Sequence, residues 1–424
     1  MRRASIGTAL LAAAVAVAAC ACSGPTYEVD ARPTERLQSL RFSQNDATRV
    51  VFWGDSITEG GLYVSEIESA LSFGRRNFQI SFYNAGSGGN TLQTGLLRLY
   101  PEVIDSDPAL VVVQFGTNDG RYDRIDPVRA AFFWGWLESA VQHIRKHTTA
   151  RILIVAPPYF DAQQQQVFRP DSELNAVPEY NETLKRYGAI CQAVAVRYST
   201  LFADPNGVME DYTRERRLDE PYFSLLADGI HPDEHGGVVM ALALLGALTE
   251  GHSVWSARLP LELLEDGGEL AINTPAAVYP FSRCLVPSTA LRALERRVLP
   301  SISLLGAAPD GAEYTLSLGG RELARFDAAA LRAGNVEVDG AALCSAVDRR
   351  GLTQAFERRR TQVFEAVRRP LYQVKEIYDY KAREHGYQVA AATARQTYEQ
   401  LDLALAELRQ HEIARRVRLH LERH

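Results

Sequence analysis

Short apolar runs alternate with amphipathic segments from about residue 48 to residue 250. Such runs predict buried strands, and apolar residues at helical spacing between them predict helices. The predicted strands are Arg49–Trp53, Phe78–Tyr83, Ala109–Phe115, Arg151–Ala156 and a short Leu201–Ala203. The predicted helices are Tyr63–Phe73, part of Leu92–Ile104, Pro127–His147, Pro178–Arg197 and the later part of His231–Leu248. Because near-continuous apolar strands need cover on both faces, this order predicts an α/β fold with a parallel sheet between helices.

A different pattern follows this region. The stretch Tyr314–Phe326 contains two alternating runs around a Gly-Gly pair, which predicts a β-hairpin within a small mixed α/β region over residues 256–350. Residues 351–424 have the composition of a helical region, with an apolar leucine stripe between Leu401 and Leu408. This helical tail carries 14 basic and 10 acidic side chains. Its surplus of basic groups fits either a solvated face or a surface that binds an anionic partner.

The amino terminus has the pattern of a bacterial export signal. Arg2 and Arg3 precede an apolar run, Ala9–Ala19, that ends in small residues directly before Cys20. A short basic segment, a short apolar run and a small-residue cleavage site predict an exported protein rather than a membrane-spanning helix.

The position of Cys20 directly after small residues resembles the bacterial lipobox. This resemblance implies that residues 1–19 are a lipoprotein signal peptide, that Cys20 is lipidated and that residues 20–45 form a tether. Two alternatives stay open: a plain secretory signal with an incidental Cys20, and lipidation at Cys22, a poorer candidate. The lipoprotein interpretation predicts a membrane-anchored protein that faces the periplasm or the cell surface.

Composition narrows the class of protein. Hydrophobic residues make up 46% of the chain and charged residues 23%, as in a globular protein with a sizeable core. The formal charge is −6 and no dense basic cluster occurs, so we expect no nucleic-acid partner. In an exported protein Cys284 and Cys344 are a candidate disulfide pair, and Cys191 is expected to be a buried thiol.

The stretch RVVFWGDSITEG, residues 49–60, predicts a strand that turns abruptly into a helix. Gly54 permits a sharp turn, and Asp55 and Ser56 are residue types that favour a helix N-cap. Such a turn places Ser56 at the carboxyl edge of the sheet, over a helix N-terminus, where a developing anion is stabilised. Ser56 is therefore either a nucleophile or only a helix cap.

A second motif, ADGIHPDEHG, supplies a candidate general base. Asp228 precedes His231 by three residues, so its carboxylate can reach the imidazole Nδ1 within one compact turn and fix the tautomer. The letters HPDEH also match a zinc-binding pattern that needs both histidines on one helix. Pro232 disfavours helical geometry at His231, so we expect no metal there.

Two further loops could stabilise an oxyanion. The glycine-rich loop NAGSGGNT, Asn84–Thr91, lets a backbone N–H approach a substrate closely, and the motif GTND supplies the side-chain amide of Asn118. The backbone N–H of Ser56 is the third candidate donor. Taken one at a time, these loops fit an ordinary loop and a capping turn equally well.

Together, the motifs GDSITEG, NAGSGGNT, GTND and DGIH resemble the SGNH (GDSL) hydrolase family over residues 48–250. This resemblance implies a flavodoxin-like three-layer α/β/α sandwich over residues 46–255 and a serine esterase or lipase activity without a metal or other cofactor. It assigns Ser56 as nucleophile and Asp228 and His231 as the rest of a catalytic triad. It also assigns the oxyanion donors, which are Ser56, Gly89 and Asn118. Gly89 is chosen over Gly86 and Gly88 because it directly precedes the Asn90–Thr91 pair.

The expected reaction is hydrolysis of a carboxylic ester through an acyl-enzyme. Two long connections, Tyr159–Val177 and Asp204–Asp228, should overhang the site, and the first is rich in polar residues. A polar rim favours deacetylation of a carbohydrate or cell-envelope polymer. The alternatives are a lipase or thioesterase acting on acyl chains, and an envelope scaffold whose helical tail binds a partner while the hydrolase domain is vestigial.

Overall fold

The protein is described from a computed structural model. The described residues are 48–73, 80–168, 176–249, 256–263, 269–274, 281–299, 301–306, 313–318, 320–339, 357–362, 365, 369, 385–386, 388–394, 396–397 and 415–423. The predicted signal peptide and tether, with Cys20 and Cys22, lie outside these residues, as does Cys344.

A parallel sheet forms the centre of the first 250 residues. Its described strands are β1 (Thr48–Gly54), β2 (Ile80–Gly86), β3 (Leu110–Gln114), β4 (Arg151–Val155) and β5 (Leu201–Ala203), in the spatial order β2-β1-β3-β4-β5. Gly54 pairs with both Gly86 and Gln114, so the ends of β1, β2 and β3 lie side by side at the carboxyl edge. The loops that leave these strands therefore start next to one another.

Eight helices of the described chain surround this sheet: α1 (Ser56–Gly60), α2 (Leu62–Phe73), α3 (Leu92–Leu96), α4 (Pro127–His147), α5 (Ala162–Phe168), α6 (Tyr180–Arg197), α7 (Pro205–Arg216) and α8 (Glu234–Leu248). A π-helical turn, Leu99–Val103, and a 3₁₀ turn, Ile104–Ser106, follow α3. The two connections expected as long loops thus contain helices α5 and α7. The start of α7 follows from Asp204 as N-cap and Pro205 at the first helical position.

Alternate residues of the strands face two separate cores, which gives the three layers. On one side, Val50 and Phe52 of β1 pack with helices α2 and α8. On the other side, Val51 and Trp53 pack with helices α3, α4 and α6. The predicted three-layer α/β/α arrangement is confirmed.

A second sheet lies outside this domain. In the described residues its strands are β6 (Ser256–Leu263), β7 (Glu269–Thr274), β8 (Ser301–Gly306), β9 (Glu313–Leu318), β10 (Arg321–Asp327), β11 (Val336–Asp339) and β12 (Arg415–Arg423), in the order β10-β9-β12-β7-β6-β8-β11. Only the β6–β8 pair is parallel among the described pairings of this sheet. Helices α9 (Thr289–Val298) and α10 (Ala328–Ala333) belong to this region. The predicted hairpin is present as β9 and β10.

The prediction of a helical tail up to the last residue is wrong at its end. Residues 357–362 and 388–394 are helical, but Arg415–Arg423 is a strand that pairs with β7 and β9. Its sequence, RRVRLHLER, alternates charged or polar residues with aliphatic ones, and this period of two is typical of a strand. The leucine stripe and the composition of the preceding residues favour a helix, which is why this strand was not predicted.

The second region packs firmly on the first. Leu291 and Val298 of α9 belong to the same buried core as α8 of the first domain. The carboxylate of Glu215, on α7, accepts hydrogen bonds from Ser288 Oγ and from the first backbone N–H groups of α9, which fixes that helix. Farther along, Arg359 Nε lies 3.0 Å from Glu68 Oε2 on α2.

Cysteine 191 is a buried free thiol, as expected. Cys284 is disulfide-bonded, and the predicted partner Cys344 lies outside the described residues. None of the helices in the described part of the chain combines the length and the hydropathy needed to cross a membrane.

Glu66 makes the stability of this packing dependent on pH. Its buried carboxylate accepts hydrogen bonds from the backbone N–H of Ser282, at 2.8 Å, and from the Ser282 hydroxyl. Burial raises the pKa of Glu66 from an ordinary 4.5 to about 7. Between these values the folded chain holds a proton that the unfolded chain releases, so the free energy of unfolding should fall as pH rises from 4.5 to about 7.

Replacing Glu66 with glutamine should reduce the slope of this dependence by the share of one group, because the amide stays neutral throughout while Asp55 and Asp119 still titrate. The slope removed is at most about 1.4 kcal/mol per pH unit. Urea unfolding at pH 5, 6 and 7 measures it, with the exposed Glu313→Gln as the matched control. Equal slopes in wild type and Glu66→Gln would mean that Glu66 is ionised in the folded protein.

Candidate active site

Ser56 lies where β1 turns into α1. A Cβ at Gly54 would clash with the side chain of Thr58 and lie 2.6 Å from the carbonyl oxygen of Gln114, so only glycine fits this turn. The buried Asp55 is the N-cap of α1 and accepts from the backbone N–H of Ile57 at 3.0 Å. The cap is thus Asp55, and Ser56 is the first residue of the helix.

His231 and Asp228 are held in a short closed loop before α8. The backbone N–H of Ala227 donates to the carbonyl of His231 at 2.9 Å, and Leu226 forms an isolated antiparallel bridge with Pro232. Gly229 has φ 87°, and a Cβ there would lie 2.7 Å from the carbonyl oxygen of Asp161. The loop therefore needs glycine at this position. Its closed backbone holds Asp228 and His231 within a single turn of the chain.

The structure brings Ser56, His231 and Asp228 into one hydrogen-bonded chain. His231 Nε2 lies 2.9 Å from Ser56 Oγ, and His231 Nδ1 lies 2.9 Å from Asp228 Oδ2. Because a carboxylate can only accept, the proton of the neutral imidazole is on Nδ1 and Nε2 accepts from the hydroxyl. This arrangement can take the proton of Ser56 as its oxygen attacks a carbonyl.

Asp228 is held in its charged form. Partial burial acts to raise its pKa, but hydrogen bonds from the side chain and backbone of His231 and from the backbone N–H of Ile230 outweigh burial. The pKa of Asp228 is therefore well below its usual range. A permanent negative charge beside Nδ1 favours the imidazolium that forms when Nε2 accepts a proton.

The three predicted oxyanion donors lie on loops that leave neighbouring strands β1, β2 and β3. Gly89 is the third residue of a turn from Ser87 to Asn90 and has φ 66°, which favours glycine. Within the described residues, no acceptor is bonded to the backbone N–H groups of Ser56 and Gly89. Asn118 Nδ2 donates one of its two hydrogens to the carbonyl of Asn90 at 3.0 Å. All three donors are thus able to receive a new anion.

Asp119 joins the two loops that carry Gly89 and Asn118. Its buried carboxylate accepts from the N–H of Leu92, at the start of α3, and from that of Gly116 at 3.1 Å. Burial raises the pKa of Asp119 to about 7, and it does the same for Asp55. GTND therefore contributes a buried structural carboxylate next to its candidate oxyanion donor.

Arg98 is a buried residue behind the site that no sequence motif indicates. It is fully buried and donates to the carbonyl of Gly54 at 3.1 Å, the carbonyl of Ala85 at 3.0 Å and Asn90 Oδ1 at 2.8 Å. Its charge is paired with Glu102 at 2.6 Å. Arg98 thus ties the ends of β1 and β2 to the oxyanion loop. An Arg three residues after a glycine on a short helix gives no sequence signal of such burial.

The zinc pattern HPDEH does not form a metal site of the kind it suggests. Helix α8 begins at Glu234, so His231 lies outside it, and both ring nitrogens of His231 are already hydrogen-bonded to Ser56 and Asp228. His235 is on the helix and exposed. No group of three or more His, Cys, Asp or Glu side chains suited to a metal occurs in the described part of the chain.

The first part of the chain is similar to a known protein family. Residues 52–237 match the model of the GDSL-like lipase/acylhydrolase family. This region is a GDSL-like acylhydrolase domain. The match extends from β1, through both candidate oxyanion loops, to the first turn of α8. No curated protein is significantly similar to the chain.

Several solved structures are similar to this chain. A gut microbial diltiazem-metabolizing enzyme superposes with a TM-score of 0.56 at 21% identity, over 88% of this chain and 98% of its own. The acetylxylan esterase Axe2 of Geobacillus stearothermophilus has a TM-score of 0.38 at 21% identity, over 48% and 94% of the two chains. A lipase/acylhydrolase from Enterococcus faecalis has a TM-score of 0.36 at 25% identity, over 46% and 93%. The first of these superpositions shows a shared fold, and the family match makes residues 52–237 an SGNH-type hydrolase domain.

Proposed function

We propose that the GDSL-like domain hydrolyses carboxylic esters with Ser56 as nucleophile, His231 as general base and Asp228 as the group that orients the base. The observation that carries this proposal is the continuous chain of 2.9 Å contacts from Ser56 Oγ through both nitrogens of His231 to Asp228. The three candidate oxyanion donors, on loops that leave the adjacent strands β1, β2 and β3, support the proposal.

The first half-reaction forms an acyl-enzyme. Ser56 Oγ attacks the ester carbonyl carbon as its proton moves to His231 Nε2, and the carbonyl oxygen becomes an oxyanion. The N–H groups of Ser56 and Gly89 and the amide of Asn118 donate to this oxyanion. The ester bond then breaks, and the leaving alcohol takes the proton from His231.

The second half-reaction restores the enzyme. His231 takes a proton from water, whose oxygen attacks the acyl-Ser56 carbonyl and forms a second oxyanion in the same place. Collapse releases the carboxylic acid, and the proton on His231 returns to Ser56 Oγ. Each half-reaction needs only one proton carrier, which fits a single imidazole between two partners.

A fluorophosphonate probe tests the nucleophile without knowledge of the substrate. We expect the wild type to be labelled and Ser56→Ala to be unlabelled, because the probe bonds to an activated serine oxygen. Ser65→Ala is the matched control, since this serine is on α2 and donates only to the carbonyl of Gly61. Labelling of Ser56→Ala at the wild-type rate would refute the assignment.

For the substrate, we propose a short acyl group, above all acetyl, on a carbohydrate or cell-envelope polymer. The site is open to a bulky alcohol portion, because the His231 side chain is 43% exposed and Gly89 is exposed. Beside Asn118, a buried cluster that includes Phe160 and Tyr180 packs against Tyr122 and Ile230, so we expect little room there for a long acyl chain.

The polar rim is a weaker argument than the sequence suggested. Gln163 and Gln164 donate to the carbonyls of Pro221 and Ala227, so they hold α5 against the loop before Asp228.

Chromogenic acetyl and octanoyl esters test the proposal of a short acyl group through kcat/KM. We expect the acetyl ester to be preferred, and a preference for octanoyl would favour the lipase or thioesterase alternative.

Anchoring through a lipid on Cys20, facing the periplasm or cell surface, remains our proposal for the location. The mass of the mature amino-terminal peptide tests it, with Cys20→Ala expected to move the protein from the membrane to the soluble fraction. An unmodified mature amino terminus would favour the plain secretory signal.

A further inference from the structure

The loop that follows Asn118 has an unusual backbone. Arg121 and Tyr122 are consecutive non-glycine residues in the left-handed region, with φ 55° and φ 58°. This conformation costs free energy at each residue, and it persists only where surrounding contacts hold it. Here the N–H of Arg121 donates to the carbonyl of Asn118 at 3.1 Å, and the N–H of Val177 donates to the carbonyl of Tyr122 at 3.0 Å.

The effect of this backbone is to return the Tyr122 side chain to Asn118, four residues earlier. The Tyr122 hydroxyl donates to Asn118 Oδ1 at 2.8 Å. Its ring packs against Tyr180 at a centroid distance of 5.3 Å and lies in the cluster that contains Ile230, the neighbour of His231. Packing therefore holds the ring, and the hydroxyl bonds to the one polar atom of the Asn118 amide that cannot stabilise an oxyanion.

We infer that Tyr122 is a positioning residue of the oxyanion site, acting through Asn118. The bond to Oδ1 and the bond from Nδ2 to the carbonyl of Asn90 together fix the plane of the amide. The remaining hydrogen of Asn118 Nδ2 can then point in only one direction. A donor on Oδ1 also polarises the amide, so that its N–H groups become stronger donors.

This inference rests on the proposed function, and it makes a specific kinetic claim. Tyr122→Phe keeps the ring and its packing and removes only the hydroxyl. With a chromogenic acetyl ester, kcat should fall about 3- to 30-fold, which is less than the about 10²–10³-fold loss on removing an oxyanion donor outright. KM should change less than about twofold, because the oxyanion exists only in the transition state. Tyr198→Phe, at the far end of α6, is the matched control and should leave kcat unchanged.

A double-mutant cycle separates this role from a general structural one. In an Asn118→Ala background, Tyr122→Phe should have no further effect on kcat, since the amide it positions is gone. An equal loss in both backgrounds would overturn the inference, as would a wild-type kcat in Tyr122→Phe. The thermal midpoints of all variants show whether a loss of kcat comes from misfolding, and the cycle compares only folded proteins.

Ser56→Ala in the same assay distinguishes failure of the inference on Tyr122 from failure of the proposed function. If Ser56→Ala is inactive and Tyr122→Phe equals wild type, only the inference on Tyr122 is wrong. If Ser56→Ala is as active as wild type, the proposed function is wrong and the inference on Tyr122 falls with it.

Discussion

Replacing His231 with alanine should lower kcat for ester hydrolysis by about 10⁴–10⁶ while leaving the fold intact. The imidazole is the only group of the described chain bonded to Ser56 Oγ, so its loss leaves the hydroxyl without a base. Truncation should cost little stability, because the side chain is 43% exposed. Steady-state kinetics with a chromogenic acetyl ester give the ratio, and circular dichroism checks the fold.

The chain supplies a matched control for this change. His235 is four residues later on α8, exposed, and in the same HPDEH motif. His235→Ala should keep the wild-type kcat. A large loss in His235→Ala, or its rescue by added zinc, would instead favour the metal interpretation of the motif. Ser56→Ala combined with His231→Ala should be no less active than either single variant, because the two side chains act as one unit.

Elements with strong local signals could be predicted from the sequence. Helix α4 begins and ends where the pattern places it, at Pro127 and His147, because Asp126 caps it and proline suits its first position. The four motifs each follow a strand or lie in a tight loop, and parallel strands bring such loops to one edge. For these reasons the fold and the grouping of Ser56, His231, Asp228 and the oxyanion loops follow from local pattern plus topology.

Contacts that cross between elements left no local signal. Arg98 lies in a stretch predicted to be helical in part, and its burial depends on the carbonyl oxygens of Gly54 and Ala85 and on Asn90 Oδ1. The contact of Tyr122 with Asn118 has no local sequence signal, because the left-handed backbone that returns Tyr122 to Asn118 is atypical of tyrosine. Strand β12 has a clear period of two, but its partners β7 and β9 lie about a hundred residues or more earlier.

The alternative in which the carboxyl-terminal region is an independent envelope module meets a physical objection. The buried pair of Arg359 and Glu68 links that region to α2, the helix that directly follows the nucleophile helix. Deleting residues 351–424 removes the partner of a buried carboxylate and so disturbs the hydrolase domain as well. A loss of the cellular role after this deletion therefore does not separate the two hypotheses, whereas Ser56→Ala does.

A chain that ends at residue 255 should fail to fold stably and should not label with a fluorophosphonate. Helix α8 has eleven buried residues, and its outer side packs on Leu291, Leu294 and Val298 of the second region. Uncovering three or four aliphatic side chains costs about 1.5–3 kcal/mol each. This sum approaches the whole stability of an ordinary domain, about 5–15 kcal/mol.

A single substitution in the full chain should show the same dependence of the first domain's stability on the second region. Leu291→Ala leaves a cavity against α8 and should cost about 2–5 kcal/mol of unfolding free energy, measured by urea titration. Leu218→Ala, at an 81% exposed leucine, is the control and should change little. A fragment ending at residue 255 that melts and labels like the full chain would contradict this argument. Such a result would show that the second region is a separate module. The shared core instead indicates that the second region buries the outer side of α8, the helix that follows the His231 loop.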